Sequence, residues 1–170
     1  MLYANWKESF ALGDRGPAGG YIFYINSNAA NDGWTYLEAA SADLDEEYTW
    51  GSDGSYSTKT AIGTGKSNTK ALIGSKETNS ELSFPAAEAC VAYRGGWYED
   101  WFLPSIDELS AMYTNLKSKN KGGTWQPNTC YYWSSSESSE GLAKVIIMSN
   151  GNSTPYSFSS ECYVRPCRAF

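Results

Sequence analysis

The 170-residue sequence contains no histidine. That absence removes imidazole general-base catalysis, Ser-His-Asp and Cys-His nucleophiles, and histidine metal sites. Basic residues are also few, with 13 Lys and Arg against 19 Asp and Glu, a net charge of −6. Nucleic-acid binding needs clustered cations and is not expected. No run of about 18 apolar residues is present, so no membrane-spanning helix is expected. The four cysteines (Cys90, Cys130, Cys162, Cys167) lack CxxC spacing, which argues against zinc. Two disulfides in any of three connectivities, or buried thiols, remain open alternatives. The glycines of Gly13–Gly20 lack the GxGxxG order of a dinucleotide loop. Met1 to Gly13 lacks the basic-then-apolar pattern of a signal peptide. The expectation is export by another route, release inside a cell or virion, or a chain that begins after a removed segment.

Aromatic rings are abundant, with 7 Trp, 13 Tyr and 6 Phe. Such rings can build a core while offering polar edges to the surface. The length fits one domain, 1–170. Met1–Leu12 contains a mixed stretch, Tyr3–Leu12, that reads as an edge strand or terminal tie. The glycine-rich turn Gly13–Gly20 leads into Tyr21–Ile25, aromatic and β-branched throughout and therefore a strand. Trp34–Ala40 is a second strand, introduced by the turn Asn31-Asp32-Gly33. Asp43–Lys66 reads as a long polar loop with Trp50 and Tyr56 as anchors. Its acidic cluster (Asp43, Asp45, Glu46, Glu47) offers hard oxygen ligands for calcium. The glycine and terminal glutamate of a calcium loop are missing, so a solvated acidic surface is the favoured reading.

Ser67–Arg94 has helical character, and its second part is the stronger, with Pro85 suited to a first turn and Gly95-Gly96 to a stop. A further helix begins at Ser105, where Glu108 three residues later completes a capping box. Ile106, Leu109, Met112, Tyr113 and Leu116 then share one helical face. From Tyr131 onward, short aromatic and β-branched runs alternate with Ser, Asn and Gly, and Asn150-Gly151 supplies a tight turn. The intervening segments, Ser134–Glu140 and Gly151–Glu161, read either as a recognition surface or as ordinary polar loops. Strands, two helices and strands in this order give an α+β plan, with helices to one side of antiparallel sheet.

Five motifs occur in order: Gly16-Pro-Ala-Gly-Gly before Tyr-Ile-Phe-Tyr, Trp34-x-Tyr-Leu-Glu-Ala, Trp101-x-Leu-Pro-Ser-x-x-Glu-Leu, Tyr132-Trp-Ser-Ser-Ser-Glu, and Val164-Arg-Pro-x-Arg-Ala-Phe. Over roughly 12–170 this resembles the bacterial domain family found at the C-terminus of collagen-like adhesins, which has a C-type-lectin-like fold. The resemblance implies antiparallel sheets with two helices and with the N- and C-terminal strands together. It extends to the variable proteins of diversity-generating retroelements, whose C-terminal window is mutated while the strand framework stays. In that family the central strand commonly reads Ala-Trp-aromatic-Val-Asn-Phe, whereas this chain has Ala143-Lys-Val-Ile-Ile-Met148.

Function follows as an expectation from that resemblance: a non-enzymatic display domain whose C-terminal surface binds a protein or glycan ligand. The expected contact residues are Ser138, Ser139, Glu140, Val145, Ile147, Ser149, Asn152, Tyr156, Phe158 and Ser160, exposed together on one face. Val145 and Ile147 share a strand face by period two and are expected outside. Trp101, Trp133, Met148 and Arg165 are expected to hold the frame. Arg165 and Arg168 would pair with carboxylates such as Asp100, Asp107 or Glu108. By analogy with lectin domains, a Cys90–Cys167 bridge would tie helix to last strand. Alternatives are an adhesin-type glycan-binding domain without diversification, and a relative of the formylglycine-generating enzymes. Cys162 and Cys167 are five apart, on opposite faces of a regular strand, and so are poorly placed as a redox pair. Calcium-dependent sugar binding would need Glu-Pro-Asn and Trp-Asn-Asp signatures that are missing. No cofactor or metal is expected, calcium being the one alternative. The implied location is the cell surface, the secreted fraction or a virion.

Overall fold

The computed structural model describes residues 9–127 and 129–170. Most of the Tyr3–Leu12 stretch lies outside them. Within the described part, Phe10 packs edge-on against Tyr36 and Phe170, with ring centroids 5.3 and 5.9 Å away. The architecture is α+β. Strands β1 (Tyr21–Ile25) and β2 (Tyr36–Ala39) follow the glycine-rich turn, separated by one helical turn, α1 (Ala29–Asp32). A short β3 (Tyr48–Thr49) precedes three helices: α2 (Gly65–Thr78), α3 (Pro85–Ala92) and α4 (Ile106–Asn115). The chain ends in β4 (Tyr131–Ser139), β5 (Leu142–Ile147), β6 (Ser153–Ser157), β7 (Glu161–Cys162) and β8 (Cys167–Ala169). The first part of Ser67–Arg94 is thus a full helix of its own, and longer than the Pro85 helix.

Three small sheets result, ordered β1-β2-β8, β3-β7 and β4-β5-β6. The first joins the N-terminal strand to the C-terminal one through β2, with every pairing antiparallel. The sheet β4-β5-β6 stands between two cores. Tyr132, Ile146 and Met148 join Leu109 and Met112 of α4, and Phe23 and Leu37 of the first sheet, in one of them. Trp133, Ala143 and Val145 join Trp50, Phe84, Ala87 and Cys90 in the other. This two-sided burial overturns the expected exposure of Val145.

The five motifs turn out to be the joints of this frame. The glycine-rich turn wraps the fully buried Glu38 carboxylate, which accepts the Ala18 N–H at 3.0 Å and the Gly20 N–H at 2.8 Å. A Cβ at Gly20 would run into the Ala39 carbonyl and one at Gly16 into Glu38 itself, so glycine is required by close approach. Arg168 closes the site, donating to Glu38 at 3.2 Å and to both oxygens of Asp100 at 2.8 and 3.0 Å. Its guanidinium also lies 3.8 Å over the Tyr98 ring. A buried carboxylate is tolerable only when paired and hydrogen-bonded, and here backbone amides and Arg168 do both.

Ser105 caps α4, and the capping box with Glu108 is complete, the Ser105 N–H donating to Glu108 Oε2 at 2.7 Å. Glu108 is also the acceptor for the Gly63 N–H at 2.8 Å, so one carboxylate fixes both α4 and the start of α2. Burial pushes its pKa up, and the backbone donors of Ser105, Gly63 and Gly65 pull it back in part. Ser134, Ser135 and Ser136 are fully buried rather than looped out. They form a two-residue excess of β4 over β5 between the Trp133–Val145 and Glu137–Ala143 pairs. Freed from the ladder, the serines reach elsewhere. Ser135 N–H donates to the Pro104 carbonyl at 2.7 Å, Ser136 hydroxyl to the Lys59 carbonyl at 2.7 Å, and Ser134 hydroxyl to the Lys144 carbonyl at 2.7 Å. The run is a polar bolt between motifs, which corrects its reading as recognition surface.

Candidate ligand-binding site

The C-terminal hairpins present a face built by alternation. Tyr131 stands opposite Ile147, Trp133 opposite Val145, and Ala143 opposite Tyr156, so all these side chains share one side of the sheet. Trp133 and Val145 at its centre are buried. Above them the Tyr131 and Tyr156 rings meet edge to face with centroids 5.0 Å apart. Both tyrosines are half-buried, as are Ile147 and Thr154. The visible part of this face is therefore a tyrosine pair with an isoleucine and a threonine beside it.

Sequence expectation and structure part company on several of the ten residues. Ser138, Ser139, Glu140, Ser149 and Asn152 are exposed, and Ile147, Tyr156 and Ser160 are half-buried. Val145 and Phe158 are fully buried. Phe158 stacks on Trp50 with centroids 4.2 Å apart, anchoring the long loop instead of meeting solvent. The remaining eight do not make one patch. Ser138, Ser139 and Glu140 sit at the β4–β5 turn, with Ser160 just past the β6 end that pairs there. Ser149 and Asn152 belong to the β5–β6 turn at the other end, about 20 Å away along a six-residue strand. Ile147 and Tyr156 lie on the face between these ends.

The frame residues have partners that spacing alone did not give. Arg165 pairs with Asp43 at 2.6 Å and donates to the Gly122 carbonyl at 2.6 Å, with its guanidinium 3.7 Å over Trp125. Neither Asp107 nor Glu108 is the partner. Asp43 thus leaves the proposed acidic surface. Its carboxylate also accepts from the Tyr132 hydroxyl, and burial together with that carboxylate raises the phenol pKa. Asp45, Glu46 and Glu47 are exposed, and among the described residues no three potential ligands gather to hold a metal. Trp133 and Trp101 are core, at 0% and 3% exposure. Two indole donors clamp the long loop, Trp50 to the Ser134 carbonyl and Trp133 to the Tyr48 carbonyl, both at 2.7 Å.

All four cysteines are free, so the implied Cys90–Cys167 bridge is not formed. The two thiols belong to different cores, and burial pushes both well up. Cys162 is raised to about 12, again chiefly by burial. Sequence reading missed one exposed group. Trp97 is 96% exposed and has a φ of +66°, unusual for a bulky residue. The Gly95-Gly96 pair before it is the signal that could have flagged that turn.

No family model and no curated protein matches the chain. Among solved structures the fold is similar to that of a fimbrial protein from Bacteroides ovatus, with a TM-score of 0.52 at 13% identity. The match covers 94% of this chain and 42% of that one, so this chain spans about two fifths of that protein's length. At such identity the likeness is one of fold alone. No helix among the described residues is long and apolar enough to cross a membrane.

Proposed function

We propose that this chain is a non-enzymatic ligand-binding domain of C-type-lectin-like fold that displays its C-terminal sheet to a protein or glycan partner. One observation carries the reading. A half-buried tyrosine pair with Ile147 lies on a sheet whose underlying strands are bolted in place by buried serines, Trp133 and Arg165. Rigid support lowers the ordering cost of binding, and tyrosine offers large amphipathic contact area with little entropy to lose. The N- and C-terminal strands in one sheet agree with the lectin-like plan. Burial keeps the Cys90, Cys162 and Cys167 thiols protonated, which supports a reading without thiolate chemistry at those three positions. The fold likeness to a fimbrial protein favours a surface protein. If a retroelement diversifies the window, the positions free to vary are the two turn clusters with Ile147 and Tyr156, while Val145 and Phe158 are spared.

The experiment is a displayed library randomised at Ser138, Ser139, Glu140, Ile147, Ser149, Asn152, Tyr156 and Ser160, selected on immobilised proteins and glycans. Binders should emerge whose specificity tracks the randomised residues and whose melting stays close to that of the parent. Failure to yield any binder from a well-folded library contradicts the reading. Sequencing the gene across isolates tests diversification separately, through substitutions concentrated at adenine-rich codons in this window and a near-copy of the 3′ end beside a reverse transcriptase.

A further inference from the structure

A second site lies away from the tyrosine face and shares no residue with it. A cleft of about 310 Å³ opens between α2 and the chain segment that follows α3. One wall is a single stripe of α2 in which Lys66, Lys70, Ile73 and Gly74 succeed one another at helical spacing. The floor and far wall include Val91, Trp101 and Phe102. A neighbouring hollow of about 290 Å³ shares Ile73 and Val91 and continues the apolar surface toward Arg94. Val91 is 39% exposed, so the floor is open to a ligand.

Gly74 is the telling residue. A glycine inside a helix costs up to about 1 kcal/mol relative to alanine. Usually a close neighbour explains it, yet a Cβ built at Gly74 meets nothing within 4 Å. No packing reason requires glycine there. What its missing side chain does is keep the cleft open. At one end Lys66 and Lys70, one turn apart, are exposed and join no ion pair among the described residues, in a chain of net charge −6. Three carboxylates also line the cleft: Asp100 is held by Arg168, Glu99 pairs with Arg94 at 3.6 Å, and Glu77 stands one turn beyond Ile73 on the same stripe, at the end away from the lysines.

We infer that this cleft binds an amphipathic carboxylate, a small molecule whose apolar chain or ring covers Ile73, Val91, Trp101 and Phe102 while its anionic head meets Lys66 and Lys70. The volume is at the lower end of small-molecule sites, and an apolar body with one anionic end matches a cleft with an apolar floor whose unpaired cations stand at the end opposite Glu77. The test uses decanoate below its micellar concentration, with decylammonium as the charge-reversed probe, titrated calorimetrically and by amide chemical shifts into the 170-residue chain. Decanoate should bind saturably with a Kd of about 1 mM or tighter, and decylammonium should not. Lys66→Glu/Lys70→Glu, at exposed positions, should weaken decanoate at least tenfold. Gly74→Phe should abolish binding while melting no lower than the parent. Absence of saturable decanoate binding, equal binding of decylammonium, or less than tenfold weakening in the lysine double variant would each overturn the inference.

Discussion

The region around Glu38 and Arg168 and the face around Tyr131 and Tyr156 are organised on opposite principles. In the first, glycines, carboxylates and guanidinium groups have one geometry each, and Glu38 and Arg168 are buried. In the second, half-buried rings and small polar residues sit on a strand ladder that holds them without using their chemistry. Motif-like residues mark the scaffold, and generic residues mark the surface where binding is proposed. Specificity of pattern in this chain reports folding constraints, because only a buried polar joint demands particular residues at particular spacings.

Breaking the first region should have the largest effect. Glu38→Ala removes the acceptor for two backbone amides and one of the two carboxylate partners of Arg168, leaving buried donors unsatisfied. The expected loss is about 3–5 kcal/mol, read from urea unfolding. Phe158→Ala, which vacates the stack on Trp50, should cost a similar 3–5 kcal/mol or so. That result would set Phe158 apart from its exposed neighbours Ser157 and Ser159. Tyr156→Ala, from the half-buried pair, should cost only about 1 kcal/mol, while abolishing any ligand contact the face makes.

Two smaller tests sharpen the contrast. Glu108 has its folded-state pKa raised mainly by burial. A carboxyl raised in the folded state is held more tightly protonated there than in the unfolded chain. Its contribution therefore becomes less favourable as pH rises from the unfolded value through the folded one. Relative to wild type, Glu108→Gln should gain stability across that interval and level off above it, measured by denaturation at stepped pH. Trp97→Gly relieves a positive φ and removes an exposed indole that packs on little. The relief is about 1 kcal/mol, offset in part by the greater freedom of glycine in the unfolded chain. A small rise in melting temperature is the expected result.

Much of the frame was legible. Alternation and capping gave β1, β2, α4 and the Asn150-Gly151 turn, because those signals are local. The α+β plan followed from their order. Partners were less legible, since the pairing of Arg165 with Asp43 spans 122 residues and no local pattern announces it. The misreadings share one physical cause. Period two assumes a strand with one wet face, but the centre of β5 is covered on both. The unbroken run Val145-Ile146-Ile147-Met148 carries that signal, as a continuous apolar strand reads as buried on two sides. Likewise three serines in a row look like a loop by composition, and become a bolt only when the carbonyls of Lys59, Pro104 and Lys144 supply acceptors.

The claim that frame and display face are separable is tested most directly by saturation mutagenesis over 131–162, scored by protease resistance of the displayed domain. The account predicts that Ser134, Ser135, Ser136, Val145 and Phe158 accept almost nothing. Ser138, Ser139, Glu140, Ser149 and Asn152 should accept nearly everything, with changes near 0.5 kcal/mol or less. Equal tolerance across both sets, or intolerance concentrated in the turn residues, would contradict it.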